Sequence, residues 1–259
     1  MDNNPAGIQG WKKMIMLLGG TTEGREIAAL LEERDYHFFI TVTTKFGESL
    51  LEGGDIIRGK LNKDNMLRVM KGRKVKLIID ATHPFAVEAS RNAIYAANIA
   101  GAEYLRYERE SFLPENATCV SDLKEAGELS VCFSNIFYTA GSKGLREFLS
   151  TLGQENSVVV RVIPSPEIIA EVEALGIARE NIVAMKGPFS RALNRALFSE
   201  FRADAVISKE SGEKGGLREK ALACSDLDIH LIIIRRPRVE YPRTVNSYSE
   251  LMKTIEEIL

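Results

Sequence analysis

The sequence predicts an α/β fold of two parallel-sheet units in tandem, with a ligand cleft between them. Three observations predict it. Short apolar runs alternate with segments of helical spacing along most of the chain, and strands separated by helices pair in parallel through crossover connections. The rhythm breaks between Glu108 and about Ser134 and then restarts. The turn that opens the first half, Gly19-Gly20-Thr21-Thr22, also has a counterpart in the second, Ala140-Gly141-Ser142-Lys143-Gly144. These mark a first domain over 12–108, a linker over 109–130 and a second domain over 131–259. Residues 1–11, MDNNPAGIQGW, are polar and read as an extension ahead of the first strand.

In the first half, Met14 to Leu18 is an apolar strand that feeds a helix beginning at Glu23. Phe38 to Thr43 is β-branched and aromatic and forms the next strand, with a shorter one at Asp55 to Arg58. Asn62 to Met70 has helical spacing behind an Asn cap. Lys76 to Asp80 is a buried strand stopped by Ala81-Thr82-His83-Pro84, Ala86 to Ala100 is a helix ended by Gly101, and Glu103 to Tyr107 is a strand.

The link carries a weak helix around Asp122 to Leu129. Beyond it, strands are expected at Asn135 to Thr139, Ser157 to Ile163, Asn181 to Met185, Asp204 to Ser208 and Ile229 to Ile234. Helices run to Leu152 and over Pro166 to Leu175, Arg191 to Phe201, Leu217 to Ala223 and Ser249 to Leu259.

Composition narrows the partners. The chain has 259 residues, 45% of them hydrophobic, enough for a sizeable core. Its 34 basic and 36 acidic residues leave a formal net charge of -2, which argues against nucleic-acid binding and requires any anionic partner to meet a local basic cluster. No apolar run approaches a membrane span, and no signal-peptide pattern opens the chain. Cys119, Cys132 and Cys224 form no C-x-x-C pair and read as reduced, buried thiols of a cytoplasmic protein.

Ligands of open parallel sheets bind beyond the carboxyl ends of strands, so the polar loops after strands carry the chemistry. Gly19 to Glu23 leaves unpaired N–H groups at the positive end of a helix, which suits a phosphate. Against the dinucleotide fingerprint G-x-G-x-x-G it keeps Gly19 and Gly24 and puts Thr21 in the middle position. A tight turn of any α/β protein accounts for that pattern equally well. His83 follows a strand and is held extended by Pro84, where it either donates a proton or satisfies turn carbonyls.

Lys143 lies in a Gly-rich loop opening a helix and suits a phosphate or carboxylate. Lys186 and Lys209 each follow a strand directly with Gly and Ser beside them, and two lysines at equivalent strand ends point to an anion-lined cleft. Arg161 lies within a strand. Arg106 and Arg109 flank Tyr107 and either bind acidic ligand groups or pair with Glu108 and Glu110. The cluster Arg235, Arg236 and Arg238 reads as surface.

What is missing narrows the chemistry further. There is no Tyr-x-x-x-Lys, no Walker pattern, no Gly-x-Ser-x-Gly elbow and no His/Cys or paired-carboxylate cluster at metal-ligand spacing. A reduction carried mainly by a bound cofactor fits better than hydrolysis.

Seven segments in order then carry a resemblance: LLGGTTEGREIA (17–28), DATHPFA (80–86), YLRYER (104–109), TAGSKGL (139–145), RVIPSPE (161–167), MKGPFS (185–190) and SKESGEKGGLREK (208–220). Together the set resembles the precorrin-6A reductase family of cobalamin biosynthesis, which has metal-free and cobalt-containing substrate branches. The resemblance implies two Rossmann-like domains, NADPH or NADH as cofactor, and hydride transfer to one ring double bond of a carboxylate-rich tetrapyrrole.

It also implies site roles. Gly19, Gly20, Thr21, Thr22 and Glu23, with Ser208, Glu210, Ser211 and Gly212, are expected to line the cofactor. Arg106, Lys143, Arg161, Lys186 and Ser190 are expected to face the substrate, with His83 and Lys209 at the chemistry. No acidic residue ends the second strand and Lys45 is nearby, which tilts towards NADPH, whereas resemblance to the cobalt-containing branch implies NADH. The expected assembly is a monomer or small homo-oligomer. Two rival readings are a nicotinamide-dependent reductase or epimerase of a small sugar or ketone, disfavoured by the missing Tyr-x-x-x-Lys pair, and a catalytically silent dinucleotide sensor.

Overall fold

The computed structural model of the chain describes residues 13–43, 45–51, 54–211 and 215–259. The chain forms two compact units, one made of residues 1–109 and 238–259 and the other of residues 110–237. The first unit opens with β1 (Met14–Leu18), α1 (Thr22–Glu33), β2 (Phe38–Val42), α2 (Lys45–Glu48), β3 (Ile56–Arg58), α3 (Lys63–Gly72), β4 (Val75–Asp80), α4 (Val87–Ala100) and β5 (Glu103–Tyr107). The chain then builds the second unit from β6 (Thr118–Val120), α5 (Leu123–Ser130), β7 (Asn135–Tyr138), α6 (Leu145–Leu149), β8 (Ser157–Val162) and α7 (Pro166–Ala174). It continues through β9 (Ile182–Ala184), α8 (Arg191–Glu200), β10 (Ala205–Lys209), α9 (Leu217–Asp226) and β11 (His230–Ile234), and returns to the first unit as β12 (Thr244–Val245) and α10 (Tyr248–Ile258).

Among the described residues each unit holds a six-stranded sheet whose pairings are all parallel, in the orders β12-β5-β4-β1-β2-β3 and β6-β11-β10-β7-β8-β9. Read from β3 and from β9, both are the 3-2-1-4-5-6 order of dinucleotide-binding sheets. In neither unit does the sixth strand follow the fifth along the chain: β12 comes from the far end of the chain, and β6 precedes the rest of its sheet.

Two of the domain boundaries expected from the sequence are therefore corrected. The stretch 109–130 is no bare linker, since β6 and α5 within it belong to the second unit. The second domain also does not run to 259, because Val245, Leu251, Met252 and Ile255 join the core built by Ile15, Leu17, Ile27 and Leu31. β6 and β12 have three and two residues, too few for alternation to register. The apolar stripe of α10 predicts a buried face without saying which sheet it covers.

The first sheet is buried on both sides, as parallel sheets are. Ile15, Leu17, Leu77, Ile79 and Leu105 face α1 and α10, while Met16, Leu18, Phe39, Ile78 and Tyr104 face α3 and α4. Helix starts follow the sequence: Thr21, Asn62, Asp122, Ser190 and Ser247 each accept a backbone N–H from the first turn of the helix that follows. Helix α6 stops at Leu149, short of the expected Leu152. The cysteines are free thiols, yet Cys132 is exposed and Cys119 half-buried, so only Cys224 matches the expected burial. Among the described residues no helix is long and apolar enough to cross a membrane.

Candidate functional site

In each unit the connection reverses direction beside the first-formed central strand, between β1 and β4 in the first and between β7 and β10 in the second. These switch points are where open parallel sheets take ligands.

At the first, Gly19 follows β1 and donates its N–H to Thr41 O at 2.9 Å. A Cβ on Gly19 would stand 2.6 Å from Ile40 Cδ1, and one on Gly24 would stand 3.0 Å from Gly19 Cα, so both glycines are needed for close backbone approach. Gly20 adopts φ +102, and nothing lies within 4 Å of where its Cβ would be, so the outer face of the turn is open. Thr21 caps α1 by accepting from Gly24 N at 3.0 Å and donates its hydroxyl to Ala81 O at 2.7 Å. Thr22 accepts from Arg25 Nη2 at 3.0 Å. Glu23 is half-buried in the first turn of α1.

The loop after β4 is anchored by Asp80, which is fully buried. Its carboxylate accepts from Thr82 N (2.9 Å), Thr82 Oγ1 (2.7 Å), Ser90 Oγ (2.6 Å), Tyr104 OH (2.6 Å) and Arg106 Nη1 (3.0 Å). Burial alone would raise its pKa, but the Arg106 charge and the three hydroxyls hold it below the ordinary carboxylate value. His83, the residue after Thr82, is exposed and accepts Phe85 N on Nδ1 at 3.3 Å. In the neutral ring its proton is then on Nε2.

At the second switch point, Thr139 donates its hydroxyl to Ile207 O at 2.7 Å. Lys143 is exposed, while Lys209 is half-buried with a lowered pKa, first from burial and then from the Lys143 charge. The same strand ends hold two buried cations. Arg161 donates to Asn194 Oδ1 at 2.8 Å and lies over the Phe189 ring at 4.2 Å. Lys220, on α9, donates from Nζ to Ser208 Oγ at 2.6 Å.

A family model described as precorrin-6x reductase CbiJ/CobK matches residues 14–256. The chain belongs to that reductase family. Relatives include the cobalt-precorrin-6A reductase of Methanocaldococcus jannaschii, 34% identical over 250 residues that cover 94% of this chain and 98% of that protein. The cobalt-precorrin-6A reductase of Priestia megaterium is 34% identical over 249 residues, covering 93% and 98%. A solved structure of CobK precorrin-6A reductase matches with a TM-score of 0.82 at 23% identity, covering 96% of this chain and 98% of that one, and so shares the fold.

Within this precorrin-6x reductase fold, the residues expected at the site separate into presented groups and framework. His83, Lys143 and Lys186 are exposed, Lys209 is half-buried, and the turn Gly19 to Glu23 is at its switch point. Several residues expected to meet ligands also have partners within the protein. The Arg106 side chain is 1% exposed and pairs with Asp80 at 3.0 Å and with Glu108 at 3.6 Å, which shapes the loop after β4. Ser208 is fully buried beneath Lys220.

Glu210 is 6% exposed, accepts Arg236 N at 2.9 Å and bonds Ser111, which ties the ends of β10 and β11 together. Ser190 uses its hydroxyl to cap α8. Ser211 Oγ is buried without a hydrogen-bond partner among the described residues, and Gly212 lies outside them.

Lys220 is the residue that the sequence reading passed over. Its signal was present: α9 buries Leu217, Lys220, Ala223 and Cys224, so a lysine occupies the apolar face of a helix. Arg236, first read as surface, is bound to Glu210.

Proposed function

We propose that this chain reduces one ring double bond of cobalt-bearing precorrin-6A to the dihydro product during cobalamin biosynthesis, with a reduced nicotinamide dinucleotide as hydride donor. The observation that carries the reading is the family match, which spans nearly every element of both sheets. The cobalt-bearing form is favoured by the names of the two relatives given above.

The first unit fits a dinucleotide on its own geometry. Gly20 leaves the turn open, Gly19 and Gly24 let α1 close on β1, and the N–H groups of Thr22 and Glu23 in the first turn of α1 lack intrahelical partners. A pyrophosphate suits that position. We assign the cofactor to Gly19, Gly20, Thr21, Thr22 and Glu23. β2 runs into Thr43-Thr44-Lys45 with no carboxylate to hold a ribose 2′-hydroxyl, which favours NADPH over NADH.

When bound, the nicotinamide supplies the hydride, and saturating a carbon–carbon double bond then needs one proton. His83 is assigned to that proton, because its exposed ring presents Nε2–H beyond the end of β4. The carboxylates of the tetrapyrrole are matched by cations of the second unit, Lys143, Lys186 and Lys209. Lys209, half-buried at the end of β10 with a pKa lowered by burial and by the Lys143 charge, is the candidate for the chemistry. The protein is taken to work in the cytoplasm as a monomer or small homo-oligomer, with no nucleic-acid partner.

The test is anaerobic spectrophotometry with cobalt-precorrin-6A and its metal-free form, each with NADPH and with NADH. Nicotinamide oxidation matched by a change in the macrocycle spectrum is expected, fastest with NADPH and the cobalt form. Nucleotide binding without any macrocycle change would return the protein to the class of dinucleotide sensors.

A further inference from the structure

Arg161 and Lys220 are two buried basic residues at one end of the second sheet. Their exposures are 7% and 6%, and among the described residues no carboxylate pairs with either. Arg161 has one side-chain acceptor, Asn194 Oδ1, for five N–H donors, and rests on Phe189 and Phe137. Lys220 has one, Ser208 Oγ, for three.

Both belong to the carboxyl end of the second sheet. Arg161 is the next-to-last residue of β8, Ser208 the next-to-last of β10, and Lys220 reaches Ser208 from α9. In register, Phe137 pairs Val159 and Val206, so Arg161 and Ser208 stand two residues further along on one face of the sheet. Buried like charges are retained in folds when something neutralises them, and among the described residues no carboxylate does so.

We propose that Arg161 and Lys220 form a receptor for one oxyanion, a carboxylate or a phosphate, at the carboxyl end of the second sheet. The guanidinium offers a planar fork and the ammonium a point charge, the combination that holds an anion of that class with charge-assisted hydrogen bonds. Asn194 fixes the fork by donating its own amide to Phe189 O and Ser190 O, at 3.2 and 3.0 Å, while accepting from Arg161. Ser208 fixes the ammonium. The source of the anion rests on the reductase reading: a substrate carboxylate, or a phosphate of the dinucleotide.

The pair is also poised to take up a proton. Burial first, and then repulsion from Arg161, press the Lys220 pKa down to about 7, with Cys224 and Glu219 acting in the opposite direction. An arriving anion favours the ammonium and pulls a proton from solvent.

The probe is inorganic sulfate, which does not itself titrate near neutrality, added to the full chain at pH 8 and followed by calorimetry in buffers of differing ionisation enthalpy. Expected is saturable binding with uptake of up to one proton, lost by tenfold or more in Lys220→Met and retained in Lys220→Arg. Among the described residues Lys220→Met removes no ion pair, so its melting temperature without sulfate should stay level or rise, which separates loss of the site from loss of the fold.

Competition between sulfate and NADPH then assigns the dinucleotide phosphate, and sulfate binding that NADPH leaves unchanged assigns the tetrapyrrole carboxylate. Absence of saturable binding, or equal binding by wild type and Lys220→Met, overturns the receptor. Neither result depends on turnover, so failure here is distinguishable from failure of the reductase reading.

Discussion

The hydroxyl of Thr21 donates to the carbonyl of Ala81 at 2.7 Å, so the loop after β1 is tied directly to the loop after β4. In the second unit the corresponding threonine, Thr139, bonds the carbonyl of Ile207 within β10, also at 2.7 Å. In both, a threonine beyond the first central strand closes the switch point at its base and leaves the polar loop residues above it. Thr21→Val should cost about 1–2 kcal/mol, since it removes an N-cap and a hydrogen bond together. The same change should raise the KM for NADPH more than it lowers kcat. Urea unfolding and steady-state kinetics check the two halves.

Gly19→Ala should be worse than Gly20→Ala for stability, although Gly20 is the residue with positive φ. A methyl on Gly19 meets Ile40 at 2.6 Å within a packed core, an overpacking cost of about 1–3 kcal/mol, whereas at Gly20 only backbone strain of about 1 kcal/mol is added. Nucleotide affinity should fall in both, and in Gly20→Ala it should fall with little loss of melting temperature. Fluorescence titration with NADPH beside a thermal melt would show this.

Asp80 and Arg106 should behave as a structural pair. Breaking one partner of a buried ion pair costs about 3–5 kcal/mol, so Arg106→Met and Asp80→Asn should each destabilise strongly, and the double variant by less than their sum. Because the Asp80 pKa is lowered in the fold, its contribution is present above the ordinary carboxylate pKa and is lost as pH falls through the folded value. A double-mutant cycle in urea checks the coupling. A substrate-contact role for Arg106 would instead appear as a KM effect at unchanged stability.

Lys220 gives a pH dependence of opposite origin. Its pKa is about 7 in the fold against an ordinary 10.5, so between those values the unfolded chain holds a proton that the folded chain does not. Stability contributed by Lys220 therefore rises with pH across that window, by up to about 1.4 kcal/mol per pH unit. Cys224, pushed up by burial to about 12, opposes this above the ordinary thiol value of 9.0, so pH 7 to 9 is the clean interval. Unfolding free energies over that interval should climb in wild type relative to Lys220→Met.

His83→Gln should lower kcat by about 10²-fold or more with NADPH affinity unchanged, the scale of general acid catalysis. Unchanged turnover would mean that the macrocycle takes its proton from water.

Strand and helix placement was readable because both sheets are fully covered, which makes their strands continuous apolar runs such as Ile15 to Leu18 and Ile232 to Ile234. The exchange of sixth strands was not, since Thr244–Val245 and Thr118–Val120 pair with distant parts of the chain over too few residues to leave a pattern. At the site, residue type located the loops but could not tell a presented cation from a buried one. Arg106 and Lys143 look alike in sequence, and only the pairing with Asp80 separates them. Lys220 was missed for the converse reason: it lies within a helix, where a lysine is ordinarily solvated.

The most direct test of the reduction is the fate of the transferred hydrogen. With NADPH deuterated at the transferring C4 position and cobalt-precorrin-6A under anaerobic conditions, one deuterium should appear on a ring carbon of the product per NADPH oxidised. Deuterium released to solvent, or NADPH oxidised with no deuterium on the macrocycle, would contradict hydride transfer by this protein.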